Sequence, residues 1–323
     1  MDSELLSVKN LSVAFNTDEG VVQALSDVTF SLRRGEILGL VGETGSGKSV
    51  TSAAIMRLIP SPPGRVTGGV VRFENRNLLE LSPDEMRAVR GDAISMIFQD
   101  PASSLNPVMT VGAQVEESIR AHSFLTAKEA QSRVVEMFEK VNIPDAIKSM
   151  KRFPHQFSGG MKQRVMIAMA LACNPRVLIA DEPTTALDVS IQAQILSLIK
   201  KLQQDLGSSI LLISHDLGVI ATMAQNVAVM YAGSIVEYGD TKTIFEAPMH
   251  PYTQGLLNAI PRLDVDRDSL AVIPGALPDL LNPPEGCKFS PRCPIARDVC
   301  GQGPPVSRTI TAGHEVACHE YSR

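Results

Sequence analysis

"GETGSGKS" occupies Gly42–Ser49, between "EILGLV" (36–41) and "KSVTSAAIMRLI" (48–59). Its spacing fits G-x-x-x-x-G-K-[ST], a phosphate-cradling loop. The apolar run before it reads as a short strand. The run after it has helical spacing that stops at Pro60. A glycine loop between strand and helix lets backbone N–H groups wrap a phosphate chain, and the helix N-terminus adds its dipole. The binding set is Gly42, Glu43, Thr44, Gly45, Ser46, Gly47, Lys48, Ser49 and Val50. Lys48 supplies positive charge to the outer phosphates, and Ser49 offers a hydroxyl to Mg²⁺. Such a loop signals a nucleotide and leaves the task open, because kinases, GTPases, motors and transport ATPases all use it.

The rest of the chain bounds that task. A length of 323 residues suggests about two domains, and a hydrophobic fraction of 44% is ample for a core. The formal net charge of −5 weighs against a nucleic-acid partner, which needs a basic surface. The longest apolar run, "VMIAMALAC" at 165–173, is about half of what a membrane span requires. The start, "MDSELLSVKN", is acidic and lacks the apolar stretch of a signal peptide. A cytosolic setting is expected, where thiols stay reduced and a disulfide framework is disfavoured.

Three further strand ends carry polar chemistry. "RVLIADEPTTALD" (176–188) opens with an apolar run that reads as a buried parallel strand and ends in Asp181 and Glu182. Ligands of open α/β sheets bind at this edge. Asp181 is placed to hold Mg²⁺ through water, and Glu182 to act as general base on the attacking water. Ile210–Ile213 is a second such run, and His215 follows it within reach of a γ-phosphate. Gln99 ends a third, 93–98, where its amide can contact Mg²⁺ or the attacking water. Taken singly, His215 and Gln99 read equally well as structural residues. "FSGGMKQR" (157–164) adds a second anion-binding helix start, with Ser158 as N-cap and Gly159 and Gly160 clearing space. One γ-phosphate rarely needs two such starts within a single subunit.

Phe157-Ser158-Gly159-Gly160-Met161 resembles the signature of ABC ATPases. The order of phosphate loop, Gln99, signature, Asp181-Glu182, Ala186-Leu187-Asp188 and His215 is similar to that family's over roughly residues 5–245. The resemblance implies an α/β ABC-type P-loop ATPase with a mixed or parallel sheet core at 1–245. A helical insert at about 100–160 and a Cys/Pro-rich C-terminal extension at 246–323 complete it. It implies two subunits sandwiching two ATPs, each phosphate loop facing the other subunit's signature, with Asp188 linking the two sites. Phe15 is the candidate adenine-stacking aromatic, although a buried strand Phe reads nearly as well. Phe157 and Met161 depart from the usual leucine and glutamine. Because Ser158 and the glycines carry the phosphate contact, little loss is expected.

"QDPASSLNP" (99–107), "MIAMALACNP", "DEPTTALDVSIQAQIL" and "HPYTQGLL" (250–257) resemble the ATP-binding subunits of oligopeptide/dipeptide-type importers, a group that nickel importers share. That implies an ATPase on the cytoplasmic face of the membrane, powering import of dipeptides or oligopeptides. Its implied partners are a second, distinct ABC ATPase subunit, two membrane permease subunits and, indirectly, an extracytoplasmic solute-binding protein. A nickel or other small-solute importer is the alternative. A soluble ABC protein of translation or repair would carry a second cassette or long inserts, and a P-loop kinase leaves the signature and His215 unexplained.

Residues 261–323 hold nine of the 21 prolines and four of the five cysteines, Cys287, Cys293, Cys300 and Cys318. A segment this poor in periodicity buries little apolar surface and calls for a staple. The spacing C-x5-C-x6-C-x17-C lacks the close pairs that structural zinc prefers and suits a [4Fe–4S] cluster better. The expectation is a [4Fe–4S] cluster first, zinc second and unligated thiols third. "GCKFSPRCP" resembles the cluster region of some peptide-importer subunits.

Overall fold

The computed structural model describes residues 4–185, 187–260 and 272–321. Its strands are β1 (Glu4–Thr17), β2 (Gly20–Arg33), β3 (Ile37–Val41), β4 (Gly64–Phe73), β5 (Arg76–Asn77), β6 (Ile94–Ile97), β7 (Val177–Asp181), β8 (Ser209–Ser214), β9 (Asn226–Tyr231), β10 (Ser234–Asp240), β11 (Arg308–Thr311) and β12 (His314–Val316). Contacts divide the chain into two compact units. One comprises 33–36 and 80–212; the other comprises 4–32, 37–79 and the described residues from 213 onward.

The second unit contains two layers of strand. An outer sheet runs β2-β1-β4-β5, with β1 antiparallel to β4 in the register Leu6↔Phe73. Leu6, Val8, Leu11 and Val13, all fully buried, give β1 an inner face. The other sheet region runs β11-β12-β10-β9-β3. β3 pairs parallel with β9, Leu40 opposite Ala228, and every residue of β3 is buried. An all-apolar strand covered on both faces is what a parallel sheet demands. The helix Lys48–Ile55 follows β3 through the phosphate loop. It ends four residues before the expected stop at 59, because Met56 caps it and Arg57 turns to φ 51.

The first unit contains β6 parallel to β7, in the register Ile94↔Val177. Its helices include Val111–Ala121, Ala127–Lys140 and Gly159–Leu171. The expected capping box is present: Thr126 accepts the Glu129 N–H, and the Glu129 carboxylate accepts the Thr126 N–H at 2.8 Å. Val115, Ile119, Val134, Met137 and Phe138 are at most 2% exposed and form the core that joins these helices.

The C-terminal region holds on differently from what the cysteines suggested. β12 adds to the edge of β10, with Glu237 opposite Val316. Phe289 is buried among Tyr231, Tyr252 and His250. Lys288 donates to the Ala232 carbonyl at 2.7 Å and the Ser26 hydroxyl at 3.0 Å. Strand addition, one aromatic plug and a half-buried cation anchor the described part of the segment. Among the described residues no group of three or more His, Cys, Asp or Glu is arranged to hold a metal. The [4Fe–4S] expectation and its zinc alternative are therefore corrected. Cys287, Cys293, Cys300 and Cys318 do line one cavity, of about 20 Å³. Yet the four are free cysteines, and burial raises the thiols of Cys287 (to about 11), Cys293 and Cys318. Their wide spacing, read alone, carried no information about ligand geometry.

Candidate functional site

In the second unit, the phosphate loop emerges from β3 with a shape set by glycine. Gly42, Gly45 and Gly47 have φ of 157°, 86° and 108°. A Cβ at Gly42 would collide with the Met230 carbonyl oxygen. Gly47 is the left-handed N-cap of Lys48–Ile55, whose first turn carries no acidic residue. The helix therefore presents an unopposed positive end. Lys48 is 5% exposed, and its Nζ donates to the carbonyls of Gly42 (2.8 Å) and Glu43 (3.0 Å). The Ser46 hydroxyl is fully buried and has no hydrogen-bond partner among the described residues. Left-handed glycines, an orphaned buried hydroxyl and an inward-folded ammonium fit a polyphosphate. Thr44 lies exposed on the loop, Ser49 is exposed in the first turn of the helix, and Val50 is half-buried.

Phe15, near the end of β1, is half-buried and pairs with Gly64, where a Cβ would meet its ring at 2.7 Å. His215 is exposed just after β8, beyond the Ser214 hydroxyl that accepts the Asp216 N–H at 3.0 Å.

In the first unit, β7 ends as expected in Asp181, which is 4% exposed. Glu182 follows at φ 47°, a left-handed conformation costly for a non-glycine residue and common at functional positions. Its Oε2 accepts from Gln99 Nε2 at 3.0 Å and from the Thr185 hydroxyl at 2.8 Å. The structure thus brings together Gln99 and Glu182, residues 83 apart in sequence. Thr185 is a partner that sequence reading missed, although it stands within the quoted acidic motif.

The signature opens the helix Gly159–Leu171. Ser158 caps it by accepting the Met161 N–H, and Ser158 and Gly159 are exposed. Gly160 also has a packing reason: a Cβ there would meet Ile191 at 2.8 Å. Phe157 is buried under the Arg152 guanidinium, 5.1 Å from its ring centre, so this departure serves packing. Asp188 caps the helix Val189–Leu206, accepting the Ile191 N–H at 2.9 Å, which pulls its carboxyl below the usual range. Ala186 lies outside the described residues.

Glu43 has a role that its place in the loop did not reveal. Arg292 forks its carboxylate at 2.7 and 3.0 Å, and the Tyr252 phenol accepts its N–H at 2.8 Å.

The oriented carboxylate, the glycine cradle and the capped signature helix define an ATP-binding cassette. Residues 25–185 match the ABC transporter family, and residues 236–300 match the oligopeptide/dipeptide transporter C-terminal region. The chain belongs to the ABC transporter family and is an ATPase. It is 51% identical to the dipeptide transport ATP-binding protein DppD of Bacillus subtilis, over 98% of this chain and 94% of that one. It is 50% identical to the oligopeptide transport ATP-binding protein OppD of Escherichia coli, over 97% and 92%. Among solved structures, the dimeric cassette MJ0796 bound to ADP and Pi superposes with a TM-score of 0.66 at 28% identity, covering 73% of this chain and 98% of that one. Among the described residues no helix is long and apolar enough to cross a membrane.

Proposed function

We propose that this chain is the ATP-hydrolysing subunit that powers a membrane importer of dipeptides or oligopeptides. What carries the reading is similarity to peptide-transport relatives along nearly the whole chain, including the C-terminal region at 236–300. A catalytic cassette alone would match over less. Residues 1–245 form the ATPase domain and 246–323 the extension typical of peptide transporters.

Lys48 and the loop N–H groups hold the polyphosphate. Ser49 in the one unit and Gln99 and Asp181 in the other are the residues that would hold Mg²⁺ through oxygen donors, and the cation would supply charge neutralisation at the outer phosphates. Glu182 accepts the proton of the attacking water, held in place by Gln99 and Thr185. His215 steadies the γ-phosphate, and Phe15 stacks on adenine. Ser158, Gly159 and Gly160 are exposed or half-exposed because they serve the ATP of a partner subunit. The partner is a second, distinct ATPase, and the pair docks peripherally on two permease subunits fed by an extracytoplasmic binding protein.

Uptake of labelled dipeptides, longer peptides and nickel complexes in cells lacking this chain tests the reading. Peptide uptake should fall and return with the wild-type chain but not with Lys48→Ala. Loss of nickel uptake alone would replace peptides with nickel as the cargo.

A further inference from the structure

Glu43 and Lys48 are the only charged residues in the loop Gly42–Ser49. A carboxylate in a loop that must hold polyphosphate raises the local negative potential and opposes binding. Every polar group of Glu43 is engaged. Its N–H donates to the Tyr252 phenol at 2.8 Å, and its carbonyl accepts from Lys48 at 3.0 Å. Its carboxylate takes a two-pronged bond from Arg292, Nη1 at 2.7 Å and Nη2 at 3.0 Å.

The clamp is built rather than casual. The Arg292 side chain is 5% exposed and that of Glu43 is 30% exposed. Nε of Arg292 donates to the Pro274 carbonyl at 2.9 Å and Nη2 also to that of Ile273 at 3.3 Å, so the guanidinium plane is fixed by C-terminal backbone. It lies 5.8 Å from the Tyr231 ring, which packs on Tyr252 at 4.6 Å and on Phe289 at 5.1 Å. A planar fork held this way orients a carboxylate as a lysine cannot.

We propose that Arg292 is a positioning residue for nucleotide binding: by forking Glu43 it cancels the one carboxylate of the phosphate loop and fixes the loop's shape, so that the C-terminal region sets the affinity for ATP. This rests on reading Gly42–Val50 as the ATP cradle.

The test measures the Kd of a fluorescent trinitrophenyl-ATP with Mg²⁺ at low and high salt. The full-length chain is compared with Arg292→Ala, Glu43→Gln, the double variant and Lys48→Ala. Arg292→Ala leaves a carboxylate unopposed and should raise Kd about tenfold at low salt, less at high salt. Glu43→Gln leaves a cation unopposed and should lower Kd, by about two- to fivefold. The double variant should return to within about threefold of wild type. Should Arg292→Ala fail to fold, the other two remain decisive, since the double variant leaves neither charge behind and in Glu43→Gln the amide oxygen can still accept from Arg292. A Kd that rises in Glu43→Gln, or a double variant as weak as a tenfold loss, would overturn the proposal. Lys48→Ala separates the two readings: if it binds normally, the cradle itself is misassigned, whereas lost binding there with no opposed shifts elsewhere refutes only the clamp.

Discussion

Gln99 donates its side-chain amide to the Glu182 carboxylate at 3.0 Å, joining the end of β6 to the end of β7. The Thr185 hydroxyl donates to the same oxygen at 2.8 Å. A carboxylate held by two donors and by a left-handed backbone is oriented before substrate arrives, as the proposed general base requires.

Gln99→Ala should therefore lower kcat about tenfold with a smaller change in the KM for ATP, because it loosens the proposed base and leaves the phosphate cradle intact. Steady-state ATPase assays check this. A rise in KM with kcat unchanged would place Gln99 in substrate binding alone.

Glu237 is buried, and its carboxylate accepts three bonds: from the N–H groups of Met249 (2.7 Å) and His250 (3.0 Å) and from His314 Nε2 (2.8 Å). His314→Ala should cost about 1–3 kcal/mol, the penalty of a lost bond to a buried acceptor. Glu237→Ala, which strands two backbone donors as well, should cost more. Urea unfolding gives both values, and equal losses would mean that the histidine carries the whole effect.

Burial holds the His250 imidazole down to about 3, from 6.5 in the open chain. Its neighbours are the Tyr252 N–H on Nδ1 and the Phe289 ring, and the backbone N–H of His250 donates to Glu237. Between those two values the unfolded chain binds the proton and the folded chain does not. Stability from this group is thus full above pH 6.5 and falls as pH drops through the window, by up to about 1.4 kcal/mol per pH unit. Thermal melts from pH 7 to 4 should show this slope, and His250→Asn should flatten it relative to wild type.

Much of the local structure around the candidate site was legible because its signals are local. Gly42–Ser49 sits between a strand and a helix, Thr126 and Glu129 form their box three residues apart, and Ser158 caps as its type predicts. The Arg292–Glu43 fork spans 249 positions, and nothing around "SPRCP" marks that arginine as a loop clamp. The cysteines misled for a related reason. Their clustering in sequence was real, whereas ligation is a matter of geometry among side chains. The segment's actual anchors, β12 on β10 and Phe289 in its aromatic nest, are long-range contacts without periodicity.

The exposed signature predicts dependence on a second chain. With Glu182→Gln and ATP, light scattering should show weak self-association of this chain and a stable one-to-one complex once the cognate second ATPase is added. A tight ATP-dependent homodimer would refute the proposal of two distinct subunits.

Glu182→Gln also gives the most direct measurement of the central claim, that this chain hydrolyses ATP with Glu182 as base. The amide is nearly isosteric but cannot accept the water's proton, so Mg-ATP affinity should be kept while turnover falls by about 10²–10⁴. Single-turnover hydrolysis of radiolabelled ATP, read beside a binding titration on the same preparation, resolves the two. Retained binding with wild-type turnover would contradict the account.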